Sequence, residues 1–260
     1  MHKKISVIAI FVFAASILAA CGETIPTAAV PVDSTHHDVV LDTCPPFDSV
    51  NIVGDFDVTI QQTPDKYQLK VISDHTKMTK YPRRTTHWVQ NRTLYVRVDP
   101  KNPGSRGDKV RLIIDAPKLK DVHLNGTPNG KISYVTGPEF SLNIENSGLI
   151  LIAGNTRRFN ATVSEHSKLN ARCMRAYTLF VNTVDNAQAE VTNSNGLSAI
   201  AANASNVYYY QDPAMVAEHL KISGSVIRMH GLTRTGEPQD VFGPQIECPA
   251  KDGKAVHGYG

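Results

Sequence analysis

A short turn followed by an apolar residue recurs through the second half of this chain at nearly constant spacing. No other feature constrains its fold as tightly. The unit appears as Asn129-Gly130-Lys131-Ile132, Ser147-Gly148-Leu149-Ile150, His166-Ser167-Lys168-Leu169, Asn186-Ala187-Gln188-Ala189, Ala204-Ser205-Asn206-Val207 and Gly224-Ser225-Val226-Ile227. Its second members, at 130, 148, 167, 187, 205 and 225, are 18, 19, 20, 18 and 20 residues apart. Alternating strands precede most of these turns: Phe140-x-Leu142-x-Ile144, Phe159-x-Ala161-x-Val163, Tyr177-x-Leu179-x-Val181 and Leu220-x-Ile222. A period of about 19 built from short strands predicts a β-solenoid, because each rung can bury its apolar side only against the next. Rungs advance about 4.8 Å each, so six recurrences span on the order of 30 Å.

Asparagines crowd the same region, many of them near the expected corners (Asn129, Asn146, Asn186, Asn206). Asparagine tolerates the left-handed backbone that sharp corners need, and its amide can pair with the rung above. From Phe47 onward the first half also reads as strands, at 50–53, 57–60, 67–71, 94–98 and 110–114, separated by Pro, Gly, Asp and Asn. Helical periodicity is confined to weak stretches at 73–80 and 214–219. The class is all-β, with a solenoid body over 47–231 and a C-terminal cap or tail over 232–260.

The N-terminus supplies an address. Lys3 and Lys4 precede an apolar run over 5–17, and Leu18-Ala19-Ala20 leads to Cys21. This is a secretory signal peptide over 1–20, too short for a spanning helix. Leu-Ala-Ala-Cys-Gly resembles the lipobox of bacterial lipoproteins, which implies acylation of Cys21, palmitate included, and membrane anchoring through the lipid. Gly22, where an Asp would signal inner-membrane retention, favours the outer membrane. Residues 21–46 read as the lipidated Cys and a flexible tether, with His36-His37 solvated within it.

Without residues 1–20 the formal charge is 25 − 24 = +1, which gives no electrostatic argument for a nucleic-acid partner. No Cys-x-x-Cys, phosphate-loop or dinucleotide pattern occurs, so neither a metal nor a cofactor is expected. Cys44 and Cys248 flank the body in a compartment that permits disulfides, and are either bridged to each other or separate thiols. Cys173 alternates with Leu169 and Ala171, which predicts that it points into the core.

Three groups of residues are candidates for binding. Glu145, Glu165 and Asp185 are spaced 20 and 20 apart; stacked in one column they would hold a cation or contact a glycan, and otherwise they are solvated corner residues. Trp88 and Tyr208-Tyr209-Tyr210 are candidate sugar-stacking platforms, although an alternating strand turns one or two of three tyrosines inward. The basic pairs Arg157-Arg158 and Arg83-Arg84 could meet acidic glycan or phosphate, or simply be solvated.

The order of features resembles a known family. Phe47-Asp48-Ser49-Val50-Asn51-Ile52-Val53-Gly54 is followed by 57–62 (DVTIQQ), Leu94-Tyr95-Val96, 116–126 (APKLKDVHLNG) and repeated Ser-Gly-like turns. This is similar to the auto-transporter adhesin, head GIN domain family (DUF2807), over roughly 47–228. The resemblance implies a secreted or lipid-anchored bacterial protein with a right-handed β-helix-like fold, and it brings no catalytic residues. The Ser-Gly corners usual there persist only at Ser147-Gly148 and Ser223-Gly224-Ser225, with Asn, His and Ala elsewhere. The expected function is a lipid-anchored envelope protein whose non-catalytic solenoid side binds a glycan or an envelope or host protein. The alternatives are a carbohydrate-active enzyme on the same scaffold and an assembly factor that pairs through its ends.

Overall fold

Strand alternation persists almost without interruption through the chain, and every described element is a β-strand. The computed structural model describes residues 36–75, 85–99, 101, 109–192, 195–210, 212–229, 247–248 and 256–257. The signal peptide, Cys21 and the tether as far as 35 lie outside them. The first half contains β1 (His36–Thr43), β2 (Ser49–Val53), β3 (Asp57–Gln62), β4 (Gln68–His75), β5 (Thr85–Gln90), β6 (Thr93–Val98), β7 (Lys109–Ala116) and β8 (Asp121–Asn125). Three long strands follow, β9 (Asn129–Glu145), β10 (Leu149–Val163) and β11 (Lys168–Thr183). Then come β12 (Gln188–Val191), β13 (Gly196–Ala202), β14 (Asn206–Tyr209), β15 (Met215–Lys221) and β16 (Ser225–Arg228), with a small antiparallel pair, β17 (Glu247–Cys248) and β18 (Val256–His257).

The strands wind as a β-solenoid of about 5 turns. β9, β10 and β11 each bend midway and contribute to two faces. Their second halves continue one face, in the order β5-β6-β2-β8-β9-β10-β11-β13-β15. Their first halves continue the other, in the order β1-β4-β7-β3-β9-β10-β11-β12-β14-β16. Pairing is parallel along the stack and turns antiparallel only at its beginning, in β5–β6 and in β1–β4–β7. The expected period holds in the register: Phe159 lies opposite Phe140 and Leu179, 19 residues before and 20 after it.

Parallel stacking places like on like. Phe140 and Phe159 are fully buried with ring centroids 6.0 Å apart, and each buried ring contributes roughly 1.5–3 kcal/mol of hydrophobic stabilisation. Beside them an inward column runs Ile52, Leu124, Ile144, Val163, Thr183 and Ala201. The core thus narrows toward the C-terminal rungs. At one corner a column of small buried residues, Thr127, Ser147, Ser167, Ala187 and Ser205, closes the turn. The Thr127 N–H donates to Ser147 Oγ (3.2 Å), and the Ser147 N–H donates to Ser167 Oγ (2.9 Å). Next to this column, Asn146, Glu165, His166, Asp185, Asn186, Asn203 and Ala204 adopt positive φ. Of the asparagines expected at corners, Asn146 and Asn186 do so, while Asn129 and Asn206 begin strands β9 and β14. Gly148 is required there because a Cβ would overlap the Pro128 carbonyl.

The structure corrects several expectations. The tether ends earlier than 46: residues 36–43 form β1, which pairs antiparallel with β4, and Cys44 and Phe47 are buried in the core. Backbone pairing at a sheet margin needs little side-chain periodicity, so the sequence pattern there was silent. The disulfide joins Cys173 to Cys248, with Cα atoms 5.2 Å apart, and not Cys44 to Cys248. Cys173 faces outward because a register shift between Leu151 and Ala153 reverses the strand parity, and Met174 takes the core position. Residues 215–219 belong to strand β15 and 73–75 to β4, while 76–80 and Arg83-Arg84 lie outside the described residues. In the repeat itself the aligned residues at 148, 167, 187 and 205 stack as read, while the first and last recurrences are displaced to Pro128 and Gly224.

Candidate functional site

Residues that alternate with the core are carried to the surface, and on the β5–β15 face they line up across nine strands. Trp88, Tyr95, Asn51, His123, Asn143, Thr162, Asn182, Ile200 and His219 are successive register partners. Parallel strands hold such a row at about 4.8 Å intervals, which gives a flat ladder rather than a cleft. At one end Trp88 and Tyr95 stack at 5.1 Å with planes 10° apart, and the Arg97 guanidinium lies 5.4 Å from the Trp88 ring.

Beside the aromatics is a polar group centred on His123. Asn143 Nδ2 lies 3.2 Å from His123 Nδ1 and 3.3 Å from Glu145 Oε1, while Asn125 Nδ2 donates to Glu145 Oε2 at 3.0 Å. His123 Nε2 is 3.8 Å from Glu145 Oε2. Asn51 and Asn143, on either side of His123, each hold a buried Oδ1 with no hydrogen-bond partner. Partial desolvation raises the pKa of the otherwise exposed Asp121 carboxyl above its ordinary value, against the opposing pull of His123. The group therefore mixes unused acceptors, amide donors and titratable carboxyls around one imidazole. Among the described residues, no three His, Cys, Asp or Glu side chains are placed to hold a metal ion.

The residues expected from sequence fall in different places. Trp88 joins this face. Tyr208 lies on the opposite face, Tyr209 packs against the core, and Tyr210 is buried under Arg172, whose guanidinium is 4.3 Å from its ring. The four aromatics form no common platform. Glu145, Glu165 and Asp185 do not form one column either. The rung between Ile144 and Val163 is 19 residues long, so Glu145 falls one step short of Glu165. Glu165 and Asp185 are neighbours at the exposed corner, where Asp185 Oδ1 accepts from Asn203 Nδ2 at 2.8 Å. Sequence reading missed Asn51, His123 and Asn143. Strand parity marks each as outward-facing, but the lateral strand order that brings them together was not visible.

Comparison with known proteins agrees with this architecture. The family described as "Putative auto-transporter adhesin, head GIN domain" matches residues 46–213. A crystal structure of a putative adhesin from Bacteroides fragilis superposes with a TM-score of 0.54 at 12% identity, covering 75% of this chain and 97% of that one. A putative adhesin from Parabacteroides merdae (TM-score 0.43, 13% identity, 75% and 96% covered) and a putative lipid binding protein from Parabacteroides distasonis (0.44, 14%, 75% and 97%) are also similar. No curated protein matches the sequence.

Proposed function

The chain belongs to the auto-transporter adhesin, head GIN domain family, and from that premise we propose an adhesin-like protein of the cell envelope. In this reading it is lipid-anchored at Cys21, faces outward from the outer membrane or into the periplasm, and binds without catalysis through the β5–β15 face. One observation carries the proposal: the unbroken outward row from Trp88 to His219, with Asn51, His123 and Asn143 adjacent at its centre. A flat ladder of amide, imidazole and aromatic groups offers repeated hydrogen-bond positions and a ring edge to an extended glycan. The stacked Glu165 and Asp185 lie at an exposed corner away from this face.

The test is glycan-array binding by the soluble 22–260 fragment, with Trp88→Ala and Asn143→Ala as variants. The expected result is at least a tenfold loss of binding in each, without change in far-ultraviolet circular dichroism. Equal binding by both variants would move the binding surface elsewhere. Palmitate incorporation that disappears in Cys21→Ser tests the anchor independently, and absence of label in the natural chain would overturn it.

A further inference from the structure

The bend shared by β9, β10 and β11 carries a second, differently built surface. Gly137, Asn155, Thr156, Arg157, Arg175, Ala176 and Tyr177 line an open depression of about 680 Å³ there. Register places Asn155 opposite Arg175 and Thr156 opposite Ala176 and Gly137, so Arg157 and Tyr177 are neighbours one step on. No acidic side chain lines the depression.

The arginines of the molecule differ in their engagement. Arg92 pairs with Asp48, Arg158 with Glu139, Arg172 with Glu190 and Arg228 with Asp212. Arg97 lies over Trp88, and Arg111 is also engaged. Arg157 and Arg175 alone among the described arginines make no ion pair, side-chain hydrogen bond or ring contact, and both line this one depression. Two uncompensated guanidinium groups on adjacent rungs raise the local positive potential in a chain whose overall charge is nearly balanced. Tyr177 stands beside them 57% exposed. Gly137 leaves the floor open, since a Cβ there would meet nothing within 4 Å.

We propose that this bend binds an anionic saccharide. Arg157 and Arg175 take the carboxylate, sulfate or phosphate oxygens through charge-assisted, forked hydrogen bonds, and the Tyr177 ring covers a sugar face. The site is separate from the row running from Trp88 to His219 and does not depend on that row binding anything.

The experiment measures binding of the full mature chain in detergent to polygalacturonate, dextran sulfate and neutral dextran, with inorganic phosphate as a competitor. The natural chain is expected to bind the two anionic polymers and not the neutral one. The double variant Arg157→Gln/Arg175→Gln should weaken that binding at least tenfold. Tyr177→Ala should weaken polymer binding severalfold without changing the concentration of phosphate that competes. Lys118→Gln, which removes an exposed cation elsewhere, should leave it unchanged. Undiminished binding by the double arginine variant overturns the proposal. An equal loss in Lys118→Gln does so too, by reducing the effect to diffuse charge.

Discussion

The two ends of the solenoid obey the same strand parity and have opposite fates. In its opening rungs Val50, Ile52, Leu94 and Val96 are fully covered. In its last rung Val216, Leu220 and Ile222 are 41%, 52% and 78% exposed, although the register places Val216 and Leu220 over the buried Leu197 and Ala201. The difference lies in what comes next. At the first end the parallel stack gives way to antiparallel β5 and β4–β1, and Tyr67, Val89 and Val98 pack against the core. At the other end, among the described residues, β15 and β16 each pair with a strand on one side only. Burial in a solenoid is therefore a property of stacking order, and alternation alone does not guarantee it.

The largest expected effect separates these ends directly. Leu94→Ala empties a fully enclosed position and should cost about 2–5 kcal/mol in urea denaturation. Leu220→Ala, the same deletion at the open end, should cost less than about 1 kcal/mol, since most of that side chain already meets water. Equal losses would show that the last rung is covered in solution and would end the contrast.

A somewhat smaller effect concerns how the C-terminal rungs are tied. The Cys173–Cys248 bond spans 75 residues, and constraining a loop of that length typically adds about 2–4 kcal/mol. Cys173→Ala should lower the thermal midpoint, and a reductant should lower that of the natural chain to match. Cys44→Ala should leave the response to reductant intact. If reduction changed nothing, the bond would be absent from the folded protein. Within the middle rungs, Ser167→Ala keeps the packing, as Ala187 does in the next rung, but strands the Ser147 N–H. A loss of about 1–3 kcal/mol is expected, the cost of a buried unpaired donor.

These contrasts also explain what could be read in advance. The repeat at 148, 167, 187 and 205 was legible because a solenoid forces one chemical environment on each rung, so period and register coincide. Leu220 was legible as strand and misleading as core, because nothing in its own residues states that, among the described residues, no rung covers it; Ile222 already lies in the turn after β15. Cys173 was misassigned for a related reason: one irregular step at Leu151–Ala153 reverses parity downstream, and sequence carries no mark of it. The β5–β15 face was half-legible. Trp88 stood out by type, whereas Asn51 and His123 meet only because β2 pairs with β8 across 72 residues of chain.

The smallest expected effect appears only in acid, and it probes the closed end. Asp48 lies just ahead of β2, where Arg92 from the β5–β6 turn and Lys120 from the start of β8 converge on it at 3.2 and 2.7 Å. Burial alone would raise its carboxyl pKa, but the hydrogen bonds and charges of Lys120 and Arg92 prevail and hold it below the ordinary 3.8. A carboxyl whose pKa is lower folded than unfolded contributes stability above the unfolded value, and this is lost as pH falls through the folded one. The urea midpoint should therefore decline below about pH 4 by more than in Lys120→Met, whose curve should be flatter across that window. At neutral pH Lys120→Met should lose little, because its side chain is half exposed and Arg92 remains. If the two acid curves were parallel, Asp48 would not be the group that fastens this end, and the antiparallel strands alone would account for its closure.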